Sequence, residues 1–438
     1  MAKHQLDRGI DILSYHIQNA EFKSIGLIQS DAKFIDERED MAEYILIPEW
    51  KGEFGMGVAS SPIRCGYTFR AAYDITAGAQ SPTKGRTLTT VGAMIQTPYL
   101  LYLGSTSDPL SIKTSRGIAM FRPDDCVGEF VHEGSALTLG LPKMGFSQAV
   151  QAGAKTLILG VASAGGLLTD ELIADAEAAL NAGLDIASGL HNRLRDIPKL
   201  AELAAQKGRT LIDVRDPAAN LKVGNGLPRQ GLRLLTVGTD CSVGKMVATL
   251  CIEQAMQARG YLADFRATGQ TGIMIAGSGV PVDAVIADFI SGAIEQLAPA
   301  RTDGGWDLIE GQGSLFHPSF AGVSTGLLHG AQPSAIVICH EPTRQHMRGL
   351  PHYPMPSLER TIAANLEQAR LTSPDVVAVG VAVNTSMLAE KEARAVCDEI
   401  AETTGLPCVD PYAQGAELII DRIEQCFAIS RPPTSLSA

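Results

Sequence analysis

A glycine-rich segment ending in Gly-Lys lies between an apolar run and an amphipathic stretch in the second half of the chain. The apolar run, residues 234–237, predicts a strand, and residues 246–259 predict a helix. A strand–loop–helix unit of this kind directs backbone N–H groups and a helix N-terminus at one point, where a phosphate binds. The predicted contact residues of this phosphate loop are Gly238, Thr239, Cys241, Ser242, Val243, Gly244, Lys245 and Met246.

The last two residues of this loop indicate what it does with a phosphate. Lys245 brings a mobile positive charge to the bound group. In nucleotide hydrolases the next residue is a serine or threonine whose hydroxyl holds Mg²⁺, whereas here it is Met246. The loop therefore favours phosphate recognition over phosphoryl transfer, and we expect no metal ion.

Polar residues follow three further predicted strands of the same region. Ligands bind beyond the carboxyl ends of parallel strands, so these side chains are expected to surround the phosphate loop. The predicted substrate-binding residues are Arg266, Thr268, Gln270, Thr271, Gln312, Ser314, Arg344 and Arg348. Because arginine binds carboxylates through two parallel N–H groups, a dicarboxylic substrate or additional phosphates would suit this set.

Three residues are candidates for acid–base catalysis, namely Glu310, His340 and Asp240. Glu310 ends a predicted strand at the place where phosphate-loop proteins put a metal-binding carboxylate. Without a metal it can act as a general base, and the alternative is a structural role with hydrogen bonds to loop amides. His340 and Glu341 do not belong to a zinc-protease HExxH motif, because position 344 is arginine.

The bulk composition restricts the class of protein. The 438 residues are too many for one ordinary core and predict two or three domains. A formal charge of −12 argues against nucleic acid or a membrane as a partner, and no apolar run approaches the ~20 residues that span a bilayer. Eight cysteines without a CxxC pair are typical of a reducing compartment. We therefore expect a cytoplasmic protein that forms a homo-oligomer.

Three blocks organise the chain. Residues 1–93 contain no chemical motif and are expected to be an appended or poorly ordered segment of unknown role. Residues 94–225 alternate predicted strands and helices, which predicts a Rossmann-like α/β domain. Residues 231–430, opened by the phosphate loop, predict a P-loop NTPase-like α/β domain. The predicted fold class is α/β, with two parallel-sheet domains joined near residues 224–231.

The predicted elements have definite bounds. Strands are expected at 99–104, 156–161, 210–214, 234–237, 263–266, 307–310, 335–339 and 376–383. Helices are expected at 113–120, 168–182, 197–207, 246–259 and 283–289, the last carrying Asp283 and Asp288.

The phosphate loop and the polar segments that follow the predicted strands resemble those of a known family. The phosphate loop has the spacing of dethiobiotin synthetases, although those carry threonine after the lysine. Segments 265–272, 309–318 and 339–344 are more similar to the hallmark segments of a P-loop family whose characterised branch is D-glutamate N-acetyltransferase. The resemblance covers residues 94–430 and leaves out 1–93. It implies an acyltransferase of D-amino-acid catabolism that uses acetyl-CoA and needs no Mg²⁺ chemistry.

The resemblance and the residues together suggest a mechanism. The phosphate loop would hold a phosphate of acetyl-CoA, and Arg266, Arg344 or Arg348 would hold the two carboxylates of D-glutamate. The substrate ammonium must lose a proton before its nitrogen attacks the thioester, so a base with a pKa near neutrality is needed. Glu310 and His340 are the leading candidates, with Asp240 third. Backbone N–H groups of residues 311–314 would stabilise the developing oxyanion.

Other interpretations stay open at this point. One is a covalent relay through Cys241, since a thiolate at a helix N-terminus has a lowered pKa. The main rival is an Mg-ATP-dependent small-molecule kinase or ligase related to dethiobiotin synthetase, with Glu310 or Asp240 as the metal ligand. A third is a sensor that binds coenzyme A or a nucleotide without turnover. Preference for D- over L-glutamate is not readable from residue types, because chirality is recognised by pocket shape.

Overall fold

The computed structural model describes residues 95–108, 111–135, 137–161 and 169–428. The predicted appended segment, residues 1–93, lies outside the described residues. The described residues form two parallel sheets that belong to one compact unit of the chain. In this described part, no helix is both long enough and apolar enough to cross a bilayer.

The first sheet has five parallel strands in the order β2-β1-β3-β4-β5. The strands are β1 (Tyr99–Gly104), β2 (Cys126–Val131), β3 (Thr156–Leu159), β4 (Asp185–Ser188) and β5 (Leu211–Asp213). The helices around them are α1 (Lys113–Phe121), α2 (Phe146–Gln151), α3 (Asp170–Ala182) and α4 (Pro198–Lys207). All six residues of β1 are buried, as expected for an inner strand covered on both faces.

The second sheet has six parallel strands in the order β11-β10-β9-β6-β8-β7. The strands are β6 (Leu232–Gly238), β7 (Ala263–Arg266), β8 (Trp306–Ile309), β9 (Ala335–His340), β10 (Val377–Val383) and β11 (Cys408–Val409). The helices are α5 (Lys245–Ala258), α6 (Gln270–Ala276), α7 (Ile290–Leu297), α8 (Ala321–Ala331), α9 (Leu358–Arg370), α10 (Glu390–Thr404) and α11 (Glu417–Phe427). Because β6 lies between β9 and β8, the loop that follows it stands at the middle of the carboxyl edge.

Local chemistry determines where several helices begin and end. The Thr169 hydroxyl accepts a hydrogen bond from the Leu172 N–H at the start of α3, and the Ser357 hydroxyl accepts one from Arg360 at the start of α9. Helix α3 ends at Gly183 in the left-handed conformation, with φ 102°. These caps satisfy terminal N–H and C=O groups that the helices themselves leave free.

One hydrophobic cluster joins the two sheets. Its buried members include Tyr99, Leu101, Ile118, Phe121, Ile158, Ala187 and Ile212 from the first sheet and its helices, and Leu250, Cys251, Phe265, Ile273, Met274 and Ile275 from the second. Apolar burial of this kind stabilises by about 25 cal/mol per Å². The cluster therefore holds helices α5 and α6 of the second sheet firmly against the first sheet.

The predicted fold class, two parallel-sheet α/β units, is confirmed. Strands β1 and β7 have the predicted bounds, and the other predicted strands agree within three residues at either end. The predictions missed strands β2, β4 and β11, and they missed helix α2 and helices α6 to α11. The predicted helix at 283–289 is wrong, because short 3₁₀ turns at Val282–Ala284 and Ala287–Phe289 flank an extended Val285. A β-branched side chain favours that extended backbone.

Candidate active site

Strand β6 and helix α5 hold the predicted phosphate loop at the carboxyl edge of the second sheet. The turn into the helix has left-handed backbone at Ser242 (φ 54°) and at Gly244 (φ 96°), the N-cap of α5. A left-handed serine costs about 1 kcal/mol, which the surrounding contacts must offset. Lys245 is buried, and its Nζ donates to the Asp240 carbonyl oxygen at 2.7 Å. Burial lowers the pKa of Lys245.

Asp240 holds the shape of this loop from within. Its side chain is fully buried, and Oδ1 accepts a hydrogen bond from the Cys241 N–H at 2.6 Å. Oδ2 accepts from the Arg348 backbone N–H at 2.7 Å and from Arg344 Nη1 at 2.7 Å. Both oxygens are therefore engaged by the loop and by the segment after β9. In this arrangement Asp240 holds the loop, and a catalytic role for it stays a prediction.

The two predicted arginines after β9 both contact the phosphate loop. Besides Asp240, Arg344 donates to the carbonyl oxygens of Cys241 at 2.7 Å and Ser242 at 3.2 Å. Arg348 is exposed, and its guanidinium donates to the Ser242 hydroxyl. Arg344 is thus tied into the loop by an ion pair and two carbonyl contacts, whereas Arg348 touches the loop from the solvent side.

Glu310 follows β8 and is 4% exposed. Its Oε2 accepts hydrogen bonds from the N–H groups of Thr268 at 2.9 Å and Gly269 at 3.0 Å. The carboxylate fits there because Gly272 has no side chain. A Cβ at residue 272 would stand 2.3 Å from Oε2 and would clash with it. The start of α6 therefore wraps around the Glu310 carboxylate.

Burial is the dominant influence on this carboxyl group, and it raises the pKa of Glu310 to about 7. The N–H groups of Thr268 and Gly269, the Gln312 amide and the Lys245 charge oppose this rise. A carboxyl group with a pKa near 7 is divided between its acid and base forms at neutral pH, which suits a general base.

His340 lies at the end of β9 on the other side of the loop from Glu310. Its Nδ1 is 3.0 Å from the Thr239 hydroxyl, and burial lowers the pKa of His340, which favours the neutral ring. The Ser314 hydroxyl donates to the Thr239 carbonyl oxygen at 3.0 Å. Gln312 Nε2 donates to the Thr268 hydroxyl at 3.3 Å, beside Glu310. The structure thus brings these predicted residues together around the loop.

Arg266 lies apart from them. Its Nη2 is 2.7 Å from Asp307 Oδ1, within an ion network that also includes Arg301 and Asp264. Asp307 is the second residue of β8, so the Arg266 side chain runs back along the sheet and away from the carboxyl edge. Its contacts in the structure are structural, and substrate binding by Arg266 stays a prediction.

Two other predicted residues contact the first sheet and its helices. Gln270 Oε1 accepts a hydrogen bond from Arg215 Nη1 at 2.7 Å. The hydroxyl groups of Thr271 and Thr114, the latter on α1, are 3.0 Å apart. These contacts join the start of α6 to the carboxyl end of the first sheet. No sequence pattern indicated them, because the partners lie far apart along the chain.

Two residues near the site were not predicted. The Thr236 hydroxyl accepts the Gly311 N–H at 3.0 Å, so this predicted oxyanion donor is already engaged. His317 is 3% exposed, and its Nε2 lies 3.2 Å from the Arg348 carbonyl oxygen. A signal for His317 was present, since it belongs to the same hallmark segment, 309–318, as Glu310.

Cys241, the residue considered for a covalent relay, is partly buried in the loop. Burial raises the pKa of its thiol, although the nearby charge of Lys245 opposes that rise. A protonated thiol is a poor nucleophile, so this environment favours direct transfer over a covalent intermediate.

Met246 occupies the position where nucleotide hydrolases place a metal-binding hydroxyl. Its side chain packs against the cluster that joins the two sheets. The Met246 Cε lies 3.8 Å from the point that a Cβ on Gly117 of α1 would occupy. This residue therefore serves contact with the first sheet and its helices.

We expect Met246→Thr to lower the free energy of unfolding by about 1 kcal/mol, because it removes apolar contact with this cluster. We also expect it to create no Mg²⁺-dependent ATP hydrolysis, since the side chain is directed at α1. Thermal unfolding and phosphate release measure the two effects, with Met246→Leu as a packing control. Magnesium-dependent ATP turnover in the threonine variant would contradict this account of the position.

Two groups of side chains in the described residues have potential metal-ligand atoms within 4.8 Å of one another, namely Asp240, Cys241 and His317, and His132, Glu171 and Asp175. In the first group both Asp240 oxygens already accept hydrogen bonds. In the second, Asp175 Oδ2 accepts the Tyr102 O–H at 2.7 Å and lies 2.7 Å from His132 Nε2. In both groups, potential ligand atoms are thus engaged in hydrogen bonds within the protein. The absence of a metal stays a prediction.

Comparison with known proteins places this geometry in a family. A Rossmann-like domain of unknown function, DUF1611_N, matches residues 125–217, and a P-loop domain of unknown function, DUF1611_C, matches residues 222–420. The crystal structure of a DUF1611 family protein from Anabaena variabilis ATCC 29413 is 33% identical and has a TM-score of 0.68. The match covers 75% of this chain and 100% of that one.

Two relatives carry a functional name. A D-glutamate N-acetyltransferase from Tritonibacter scottomollicae is 52% identical over 330 residues, which are 75% of this chain and 99% of that protein. A D-glutamate N-acetyltransferase from a Pseudoalteromonas species is 48% identical over 326 residues, 74% of this chain and 98% of that protein. The resemblance stated from the sequence is confirmed. The chain belongs to the family of D-glutamate N-acetyltransferases.

Proposed function

We propose that the protein transfers the acetyl group of acetyl-CoA to the amino group of D-glutamate by direct attack. The names of the two relatives support the reaction, and the phosphate loop supports a phosphate-bearing donor. The observation that carries the proposal is Glu310, a buried carboxyl group beside the loop with a pKa of about 7. A site for acyl transfer to an amine needs such a base.

The donor phosphate is held by the N-terminus of α5 and by Lys245. Helix α5 is 14 residues long, and its first turn presents free N–H groups and a positive dipole end. Lys245 Nζ donates to a carbonyl oxygen of the loop and can exchange that contact for a phosphate oxygen. With Met246 after the lysine, this cradle recognises phosphate without requiring a metal for the chemistry.

Glu310 removes the proton from the substrate ammonium. The free amine then attacks the thioester carbonyl, the C–S bond breaks, and the thiolate of coenzyme A takes up a proton. The Gln312 side-chain amide, which lies beside Glu310, is placed to donate to the oxyanion. The Gln312 amide belongs to a side chain that can turn from the Thr268 hydroxyl to the oxyanion, whereas the backbone N–H of Gly311 is fixed on the Thr236 hydroxyl.

Arg348 binds a carboxylate of D-glutamate. It is exposed, it donates to a neutral hydroxyl, and no ion pair of its guanidinium is present in the described part of the chain. It can therefore turn to a carboxylate without breaking an ion pair. Arg344 stays on Asp240 and keeps the loop in shape. A homo-oligomeric state and a cytoplasmic location stay predictions from the sequence.

The reaction is tested by incubating the protein with acetyl-CoA and D-glutamate, without Mg²⁺ or nucleotide, and measuring free thiol. Thiol release that depends on D-glutamate, exceeds release with L-glutamate and yields N-acetylglutamate is the expected result. Absence of product with both isomers, together with Mg²⁺-dependent loss of ATP in a parallel sample, would instead support the kinase or ligase alternative.

A further inference from the structure

A cavity of about 1060 Å³ opens beside the phosphate loop. Val243 and Gly244 of the loop form one wall, and the first turn of α5 continues it. The opposite walls come from the ends of β10 and β11, the loops that follow them, and one face of α10. A ligand that places a phosphate on the loop can therefore extend into this cavity without crossing protein.

The lining of the cavity is apolar with carboxylates. Its acidic residues are Glu390, Asp398, Asp410 and Glu417, and Arg394 is the single lysine or arginine among its lining residues. Carboxylates repel a polyphosphate but accept hydrogen bonds from hydroxyl and amino groups. The lining thus suits a largely neutral group that carries such donors.

Large apolar side chains stand exposed around the cavity. Met120 is 40% exposed, Leu418 53% and Tyr412 60%, and all three line it. Exposed apolar side chains that converge on one concavity mark a binding surface more than scattered ones do. A flat aromatic group in the cavity would cover them, and Tyr412 offers a ring face for stacking.

The wall beside the loop is held in a fixed shape. Asp410 Oδ2 accepts hydrogen bonds from the Thr385 N–H at 2.9 Å and its hydroxyl at 2.6 Å. Asp410 Oδ1 accepts the Tyr412 N–H at 3.0 Å, and the Asn384 N–H donates to the His340 carbonyl oxygen at 2.8 Å. A preformed wall of this kind lowers the ordering cost of binding.

The strand order sets the direction of a bound donor. The cavity lies at the ends of β10 and β11, which are on one side of β6, whereas Glu310 follows β8 on the other side. The phosphate loop lies between them. The thioester must reach Glu310, so the end of the donor that enters the cavity is the end remote from the thioester.

We infer that this cavity binds the adenosine end of acetyl-CoA. The adenine ring covers the exposed apolar side chains, and the ribose hydroxyl and adenine amino groups donate to the exposed carboxylates of Asp398 and Glu417. The charged 3′-phosphate stays outside the acidic lining, at the solvent-exposed rim beside Arg394, which pairs with Glu390. The diphosphate lies on the loop, and the pantetheine arm runs toward Glu310. This inference rests on the proposed function, because it assigns one part of the same donor.

The inference is tested by a substitution that places a larger side chain in the cavity. Ala393 on α10 is 6% exposed and lines the cavity, whereas Ala395 on the same helix is exposed and does not. We expect Ala393→Phe to raise KM for acetyl-CoA at least about tenfold, since a bulky side chain takes the space of the nucleoside. We expect no change in kcat/KM with S-acetyl-4′-phosphopantetheine, which lacks that half. Ala395→Phe should leave both donors unaffected.

Other results separate the inference from the proposed function. An unchanged KM for acetyl-CoA in a folded Ala393→Phe protein overturns the inference, and so does an equal loss of kcat/KM with both donors. In either case, acetyl transfer by the wild type still supports the proposed function. If Ala393→Phe does not fold, Tyr412→Ala on the exposed rim replaces it, with a KM for acetyl-CoA at least about threefold higher expected. If the wild type transfers no acetyl group, calorimetry still compares coenzyme A with 4′-phosphopantetheine. Equal affinity of the two would overturn the adenosine site.

Discussion

Replacing Glu310 by glutamine is expected to lower kcat by about 10²- to 10⁴-fold, the usual contribution of a positioned general base. Glutamine keeps a carbonyl oxygen that can accept the N–H groups of Thr268 and Gly269, so the start of α6 stays in place. KM for acetyl-CoA should remain within about twofold, because the phosphate loop is untouched. Steady-state kinetics with varied donor and varied D-glutamate measure both quantities.

The pH profile of the wild type provides an independent readout of the same group. Glu310 has a pKa of about 7 and is active as the carboxylate, so kcat/KM should fall as the pH drops below about 7 and level off above it. His340, whose pKa is lowered by burial, would give a midpoint below its ordinary value. Full activity in Glu310→Gln, with the profile unchanged, would eliminate Glu310 and leave His340 as the base.

The Glu310→Gln substitution should raise the stability of the protein, although it lowers the activity. The pKa of Glu310 is raised from its ordinary value of 4.5 to about 7, so the folded protein holds this proton more tightly than the unfolded chain. The charged carboxylate therefore destabilises the fold by an amount that grows from pH 4.5 to 7 and is complete above. At pH 8 we expect Glu310→Gln to raise the free energy of unfolding by on the order of 3 kcal/mol. Equal stabilities of the two proteins at pH 8 would contradict the raised pKa.

The fold and the loop were predictable because their signals are local. Strand β1 is a continuous apolar run between polar segments, and the phosphate loop is one contiguous motif from Gly238 to Lys245. The place of Glu310 was also predictable, since it comes directly after an apolar strand. A residue directly after a strand of a parallel sheet lies at the carboxyl edge, wherever the rest of the chain runs.

The contacts made at that edge were not predictable. Arg266 ends β7, but its partner Asp307 belongs to a different strand, β8, and the pattern of residues along β7 does not show which neighbour the arginine meets. The start of α6 likewise meets Arg215 and Thr114 across a long separation in sequence. The cavity combines loops after β10 and β11 with α1, elements that no local pattern connects.

Replacing Arg344 by methionine is expected to lower the free energy of unfolding by about 3–5 kcal/mol, the usual cost of breaking a buried ion pair. Asp240 is fully buried, while Arg344 is 20% exposed. Removing the arginine leaves the carboxylate with the N–H groups of Cys241 and Arg348 and without a counter-charge on Oδ2. Chemical denaturation measures the loss, and donor affinity should fall with it because the loop loses its shape.

A cycle of variants separates this structural role from the substrate-binding role that the sequence suggested for both arginines. Adding Asp240→Asn to Arg344→Met removes the stranded charge, so the double variant should be more stable than Arg344→Met alone. Arg348→Met, which leaves the backbone N–H of residue 348 on Asp240, should change stability by less than about 0.5 kcal/mol and raise KM for D-glutamate. If Arg344→Met instead keeps wild-type stability and raises KM for D-glutamate, then Arg344 binds the substrate and the loop is held by other contacts. The free energy of unfolding thus distinguishes an arginine that supports the phosphate loop from one that binds a carboxylate, a difference that the spacing of the two residues cannot show.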